Sequence, residues 1–196
     1  MRFSYIVIVT GLAASIMLAG SNAQSQDRAF VEAKIREWQQ VVSRNPKDFE
    51  TLAAIGAGYG KLGDHSTSIV YFKKAIAVNP NYGGAYAGLG AAYGFLGRPV
   101  DAIQALKKAA ELEPNDPYIR GKLGSSLGKA GRYPEAIAEL KEAIRLKPDM
   151  PEPYFALGLS YLGVGDRPRA AQQVKELYRL DPTLANQLNS LMNRSP

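Results

Sequence analysis

Few side chains in this sequence could do chemistry. There is no cysteine, and His65 is the single histidine. This composition excludes a disulfide or a cysteine nucleophile, and it leaves little scope for a histidine metal site. The pairs Gly60-Lys61, Gly121-Lys122 and Gly128-Lys129 lack the Ser or Thr that follows the lysine of a phosphate-binding loop. We therefore expect no enzyme, with no catalytic residue, no cofactor and no metal site, and we expect His65 at the surface.

The elements that carry these residues follow a period of 34 residues. The period is clearest in one proline column, Pro46, Pro80, Pro114, Pro148 and Pro182. Two glycine columns keep the same step: Gly56, Gly90, Gly124 and Gly158, and Gly63, Gly97, Gly131 and Gly165. Within each period, one apolar stretch ends at a glycine suited to the left-handed turn after a helix, and a second stretch ends before an X-Pro pair. The pattern predicts repeated helix, turn and helix.

A unit of this length with small, Leu or Ile, Gly and Tyr columns resembles the tetratricopeptide repeat (TPR), and the match covers Phe49 to Leu184. The resemblance implies an all-α, right-handed α-solenoid with four TPR helix-turn-helix units, at 49–82, 83–116, 117–150 and 151–184. Arg120 departs from the family pattern, because it stands where the family carries an aromatic residue.

The ends of the array have their own predicted helices. Residues 24–48 contain an N-terminal capping helix, a half-unit in which Ile35 and Trp38 face the first unit, and we expect Trp38 in the core. Residues 185–196 are predicted to form a C-terminal capping helix and tail, and beyond Pro182 the residues Leu184, Leu188 and Leu191 repeat at helical spacing. The two helices should cover the open ends of the solenoid.

The resemblance also implies a concave groove, lined by the first helices, that binds a peptide or a helix. The family's groove positions fall on the following contact residues: Lys61, Phe95, Tyr118, Lys129, Phe155 and Leu159. The groove floor is small: Gly60, Ala91, Gly94, Ser125 and Gly128. Rigid aromatic residues of this kind anchor interfaces, and the two lysines suit an acidic ligand.

The glycines near this groove divide into structural and unexplained ones. Gly90 is expected where the two helices of a unit approach closely, and Gly97 at the turn. Gly60, Gly94 and Gly128 have two interpretations: they clear the floor for a ligand, or they let neighbouring units pack more tightly. Gly88 lies away from the partner helix of its unit.

The first 23 residues have the pattern of a secretory signal peptide. A basic start at Met1-Arg2 precedes the uncharged stretch Phe3 to Gly20 and the small residues Ser21-Asn22-Ala23. We expect cleavage after Ala23 and an exported protein, periplasmic or secreted. The alternative is an uncleaved anchor in the inner membrane, which would be the chain's only contact with a membrane.

Two functions remain open at this point. The first is a non-catalytic scaffold for protein–protein interaction in the bacterial cell envelope, with one or more envelope proteins as partners; short exported TPR proteins of this build, by resemblance, assist assembly of a pilus, a secretion system or an outer-membrane machine. The alternative is a binder of an anionic envelope polymer, peptidoglycan or lipopolysaccharide. Its basis is the net charge of +6, with lysines such as Lys73-Lys74 and Lys107-Lys108 on second helices. No nucleic-acid partner is expected, and the oligomeric state is undetermined.

Overall fold

The structure, a computed structural model, describes residues 26–194, so the predicted signal peptide lies outside the described residues. Residues 26–194 form ten α-helices and no strand, which confirms the all-α class. Helix α1 covers residues 26–44. The others are α2 (Phe49–Lys61), α3 (His65–Val78), α4 (Gly83–Phe95), α5 (Pro99–Leu112), α6 (Pro117–Lys129), α7 (Tyr133–Leu146), α8 (Pro151–Gly163), α9 (Arg167–Leu180) and α10 (Pro182–Arg194).

Helices α2 to α9 form four pairs, each with a first and a second helix, and stack as a solenoid. Each second helix contacts the next first helix, and successive first helices contact one another. Among these eight helices, successive second helices do not pack closely on one another, although the ion pair between Lys107 and Glu135 joins the surfaces of α5 and α7. The array therefore curves with its first helices on the concave side.

The turn within each pair is fixed by a glycine in the left-handed conformation. Gly63, Gly97, Gly131 and Gly165 have φ values of 83°, 68°, 74° and 78°. A residue with a Cβ is strained in this conformation, so glycine ends each first helix. After the first turn, the Asp64 carboxylate accepts a hydrogen bond from the Thr67 backbone N–H and so caps α3.

Close approach within a pair also requires a glycine. A Cβ added to Gly90 would lie 2.6 Å from Leu106 Cγ and 3.1 Å from the Ala102 carbonyl oxygen. The equivalent atom at Gly124 would lie 2.5 Å from Leu140 Cγ. Leu106 and Leu140 are almost completely buried, so the second helix packs directly on the first helix backbone.

The structure explains why residue 88 is a glycine, which the sequence did not reveal. A Cβ there would lie 2.2 Å from Cζ of Phe72, which comes from the second helix of the preceding unit. The later units carry Leu106, Leu140 and Val174 at the Phe72 position. The larger ring in the first unit thus requires glycine on the neighbouring helix, and Gly88 serves packing between units.

Arg120 is accommodated by a contact across its own unit. Its Nη1 lies 2.7 Å from Oε2 of Glu139, and its Nε donates a hydrogen bond to the Pro114 carbonyl oxygen. Both charged side chains are only about a quarter exposed, at 23% and 24%. An ion pair between α6 and α7 replaces the aromatic contact that the family pattern predicts.

At the N-terminal end, α1 covers the first unit through Ile35, which is buried against Gly58 of α2. The Gln39 side chain also donates a hydrogen bond to the Tyr59 hydroxyl at 3.3 Å. Trp38 is half-buried rather than a core residue. It lies at the edge of this contact, while the smaller Ile35 fills the centre.

The C-terminal helix differs from its prediction in two respects. It begins at Pro182 rather than at 185, because the Asp181 carboxylate caps the first turn by accepting the backbone N–H groups of Thr183 and Leu184. Ala185 and Leu188 are fully buried, whereas Leu191 is 40% exposed. Since α10 packs on α8 and α9, the face that it buries is rotated away from Leu191.

Candidate functional site

A cleft of about 390 Å³ opens on the concave side, between α6, α8 and α10. Ten residues line it: Ser125, Gly128, Lys129, Tyr133, Glu152, Phe155, Ala156, Leu159, Ser160 and Leu184. Every groove residue predicted in the third and fourth units is among them except Tyr118. The 34-residue columns therefore place five predicted residues around one cleft.

The cleft combines an apolar wall with a close floor. Phe155 is half-buried, and Leu159 remains 38% exposed. On the floor, the Ser160 hydroxyl donates to the Ala156 carbonyl oxygen at 2.8 Å, so this hydroxyl is already used within its own helix. A Cβ at Gly128 would lie 3.2 Å from the Ser160 Oγ, so the floor is tightly packed there. The surface suits an apolar side chain.

Charged residues stand at opposite ends of the cleft. Lys129 is the last residue of α6, and Glu152 lies in the first turn of α8. Each charge complements the dipole of its own helix. Neither makes an ion pair within residues 26–194, so both remain available to a ligand.

Tyr133 is a cleft residue that the sequence reasoning missed. It is the first residue of α7, and a Cβ at Gly163 of the next unit would lie within 2.4–2.7 Å of its ring. Gly163 thus makes room for the ring. The available signal was a spacing of 30 residues, which joins the start of one second helix to the end of the next first helix.

The same spacing joins His65 to Phe95, near the first two units. Their rings stack with centroids 4.5 Å apart and an interplanar angle of 2°. The expectation of His65 as a surface residue was wrong: it is half-buried, and its Nδ1 is buried without a hydrogen-bond partner. Phe95 remains 75% exposed although one face rests on the histidine.

Tyr118 lies apart from the cleft, at the start of α6. Its hydroxyl accepts a hydrogen bond from Lys147 Nζ at 2.6 Å, and this nitrogen lies 4.9 Å from the ring centroid. The hydrogen bond raises the pKa of Lys147 above its usual value. Tyr118 is 52% exposed, and the ammonium group of Lys147 already lies over its ring.

The three unexplained floor glycines are in different surroundings. Gly94 has no atom within 4 Å of an added Cβ, and at Gly60 the nearest is the Ser68 Oγ at an ordinary 3.4 Å. Only Gly128 is tight. Packing between units therefore gives no reason for a glycine at position 94.

The lysines on the second helices are largely compensated. Lys107 pairs with Glu135 at 3.7 Å, and Lys108 pairs with Glu111 at 3.1 Å. Lys74 Nζ lies 4.8 Å from the centroid of the Tyr71 ring. These contacts are typical of a solvated face.

Residues 26–194 contain no cluster of three or more acidic or histidine side chains placed to hold a metal ion. None of the helices formed by these residues has the length and apolar character needed to cross a bilayer.

Stacked helix pairs with a glycine turn define an α-solenoid of helix-turn-helix repeats. Two family models match this chain: "Tetratricopeptide repeat" over residues 61–125 and "TPR repeat" over residues 124–165. Together they span 61–165, more than half of the 196 residues. The chain belongs to the tetratricopeptide repeat family. The fold of this family serves as a scaffold for protein–protein interaction.

Solved structures agree with this fold. MamA is 26% identical with a TM-score of 0.69, over 83% of this chain and 89% of that one. TTC0263, a thermophilic TPR protein of Thermus thermophilus, is 26% identical with a TM-score of 0.68, over 86% and 93%. YrrB, described as a TPR protein with an unusual peptide-binding site, is 20% identical with a TM-score of 0.70, over 83% and 84%, and shows the fold alone.

Similarity to curated proteins is confined to a short segment. The chain is 38% identical over 52 residues to cellulose synthase operon protein C of Escherichia coli strain K12. This segment is 26% of the present chain and only 4% of that protein.

Proposed function

We propose that this protein is a non-catalytic interaction module that holds a segment of a partner protein on its concave face. The cleft between α6, α8 and α10 is its anchor pocket. The observation that supports this most directly is the partly exposed apolar wall of Phe155 and Leu159 in a concave space. Ligand pockets range over about 300–1,000 Å³, so a cleft near the lower end suits a few side chains of a larger partner.

The proposal extends to the bacterial cell envelope. The basis is the signal-like pattern of residues 1–23, which predicts export and an envelope protein as the partner. A role in assembling a pilus, a secretion system or an outer-membrane machine is the finer form of this hypothesis. The anionic-polymer alternative gains no support from the second-helix lysines, because Lys107 and Lys108 already pair with acids.

Photocrosslinking from single positions in living cells tests the pocket. A benzoylphenylalanine at position 159 should form a discrete covalent product with a partner, because Leu159 is exposed within the cleft. The matched control is the same group at position 70, since Val70 is 49% exposed on the second-helix side. Adding Phe155→Ala to the first variant should weaken the product. Equal products from both positions, or none from position 159, would contradict the proposal.

A further inference from the structure

A row of residues at the ends of three first helices begins at the cleft, with Lys129, and extends away from it. Lys61, Phe95 and Lys129 are the last residues of α2, α4 and α6. All three are exposed, and their helices are neighbours on the concave side. Packed helices lie about 8–10 Å apart, so we expect a cation, a ring and a cation at that spacing along the row. In the fourth unit, Gly163 holds the equivalent place beneath Tyr133, and the row ends there.

The two lysines differ from the basic residues close to the adjacent turns. Arg98, Arg132 and Arg169 each pair with an acid three residues away, at 2.8, 2.6 and 3.1 Å. Lys61 and Lys129 have no ion pair within residues 26–194, and Asp64 uses its carboxylate to cap α3. The positive charge of the row is therefore uncompensated.

The Phe95 ring between the two lysines is supported on one face and exposed to solvent on the other. His65 supports one face of Phe95 at 4.5 Å, while the side chain remains 75% exposed. Beside it, Gly94 leaves an empty floor with no atom within 4 Å of an added Cβ. A rigid exposed ring next to an unobstructed backbone is suited to anchor an apolar side chain.

We propose that the partner segment carries two acidic side chains on either side of a large apolar one, contacted by Lys129, Lys61 and Phe95. A polyproline II helix has three residues per turn and rises 3.1 Å per residue, so every third side chain lies on one side at about 9.3 Å. This repeat matches the helix spacing. The ligand is thus an extended acid-x-x-apolar-x-x-acid segment, and the inference rests on the proposed function.

Synthetic peptides test this chemistry on the full chain. The probe is Glu-Pro-Pro-Phe-Pro-Pro-Glu with both ends blocked, and the comparison peptide carries Lys in place of both Glu residues. We expect the acidic peptide to bind at least about tenfold more tightly, with an affinity that falls as salt rises. Phe95→Ala should weaken that binding about tenfold.

Charge reversal separates recognition from overall charge. The double variant Lys61→Glu/Lys129→Glu should prefer the lysine peptide, while Lys61→Arg/Lys129→Arg should keep the original preference. The matched control, Lys73→Glu/Lys141→Glu, changes the net charge equally on the second helices and should also keep it. Circular dichroism melting confirms that each variant is folded.

Several results would overturn the inference. These are equal binding of the two peptides, no reversal by the double variant, or tighter binding of an alanine-rich helix with the same three residues seven apart. Failure here with a specific crosslink from position 159 would leave the proposed pocket standing. If peptide binding reverses with charge but no crosslink forms from position 159, the proposed pocket is wrong and the inference about Lys61, Phe95 and Lys129 stands.

Discussion

At the scale of single residues, the glycines of α4 have opposite roles that stability measurements can separate. Gly94→Ala should raise the free energy of unfolding by roughly 0.5–1 kcal/mol, because alanine favours a helix and no neighbour obstructs the new methyl group. Gly90→Ala should lower it, since the methyl group meets Leu106 and the Ala102 carbonyl. Urea unfolding followed by circular dichroism gives both values. A loss of stability for Gly94→Ala would show that a contact important to the fold exists there.

Gly88 and Phe72 form a complementary pair between the first two units. Gly88→Ala alone should lower the free energy of unfolding by about 1–3 kcal/mol, because the new methyl group overlaps the Phe72 ring. In the Phe72→Leu background the same change should have a smaller effect, with a coupling energy of about 0.5–3 kcal/mol. A double-mutant cycle in urea measures this coupling. If the two changes in the free energy of unfolding are simply additive, the size of residue 72 does not explain the glycine at position 88.

At the scale of elements, the start of α2 and that of α3 are capped by carboxylates. The Asp48 carboxylate accepts the Thr51 N–H at 3.0 Å and its hydroxyl at 2.8 Å, which lowers the pKa of Asp48 below its usual value. Hydrogen bonds from Thr67 lower the pKa of Asp64 in the same way. A carboxyl whose pKa is lower in the folded state contributes stability above its unfolded value, here near 3.8, and loses it as the pH falls through the folded value.

The caps should therefore contribute to acid unfolding. Asp48→Asn/Asp64→Asn keeps an amide cap that does not titrate, so its melting temperature should fall less than that of the wild type between about pH 5 and pH 2. Asp149→Asn, in the exposed loop before α8, is the control and should follow the wild type. Thermal melts over this pH range decide the point. Parallel curves for all three proteins would exclude the caps as acid-sensitive groups.

At the scale of the whole molecule, each unit is stabilised by its contacts with the neighbouring units. Leu188 of α10 is fully buried in a cluster with Tyr154, Val174 and Leu177 of the last pair. Leu188→Ala should lower the free energy of unfolding by about 2–5 kcal/mol. Hydrogen exchange should show the largest loss of protection in α8 and α9 and the smallest in α2 and α3.

The control for this prediction is Gln187→Ala, on the exposed side of α10, which should change stability by less than about 0.5 kcal/mol. A uniform loss of protection along the whole array after Leu188→Ala would show that the solenoid unfolds as one cooperative unit.

The sequence by itself determined the number of units, the turns and the first helix of each pair. These features depend on local rules, namely the left-handed conformation at Gly97 and its repeats, and helix termination before proline. The repeat columns also brought Ser125, Gly128, Lys129, Phe155 and Leu159 together, because equivalent positions of stacked units must lie side by side. Whether these residues contact a ligand stays a prediction.

Only the tertiary structure decided the contacts between units. Tyr133 over Gly163, His65 against Phe95, and Phe72 against Gly88 join residues from neighbouring units. Two of these pairs share a spacing of 30 residues, but whether the side chains touch depends on their size and direction, which the 34-residue period does not specify. The rotation of α10 was also decided by the tertiary structure. The helix buries the face that removes most apolar surface from water, and that face depends on the surface that α8 and α9 offer.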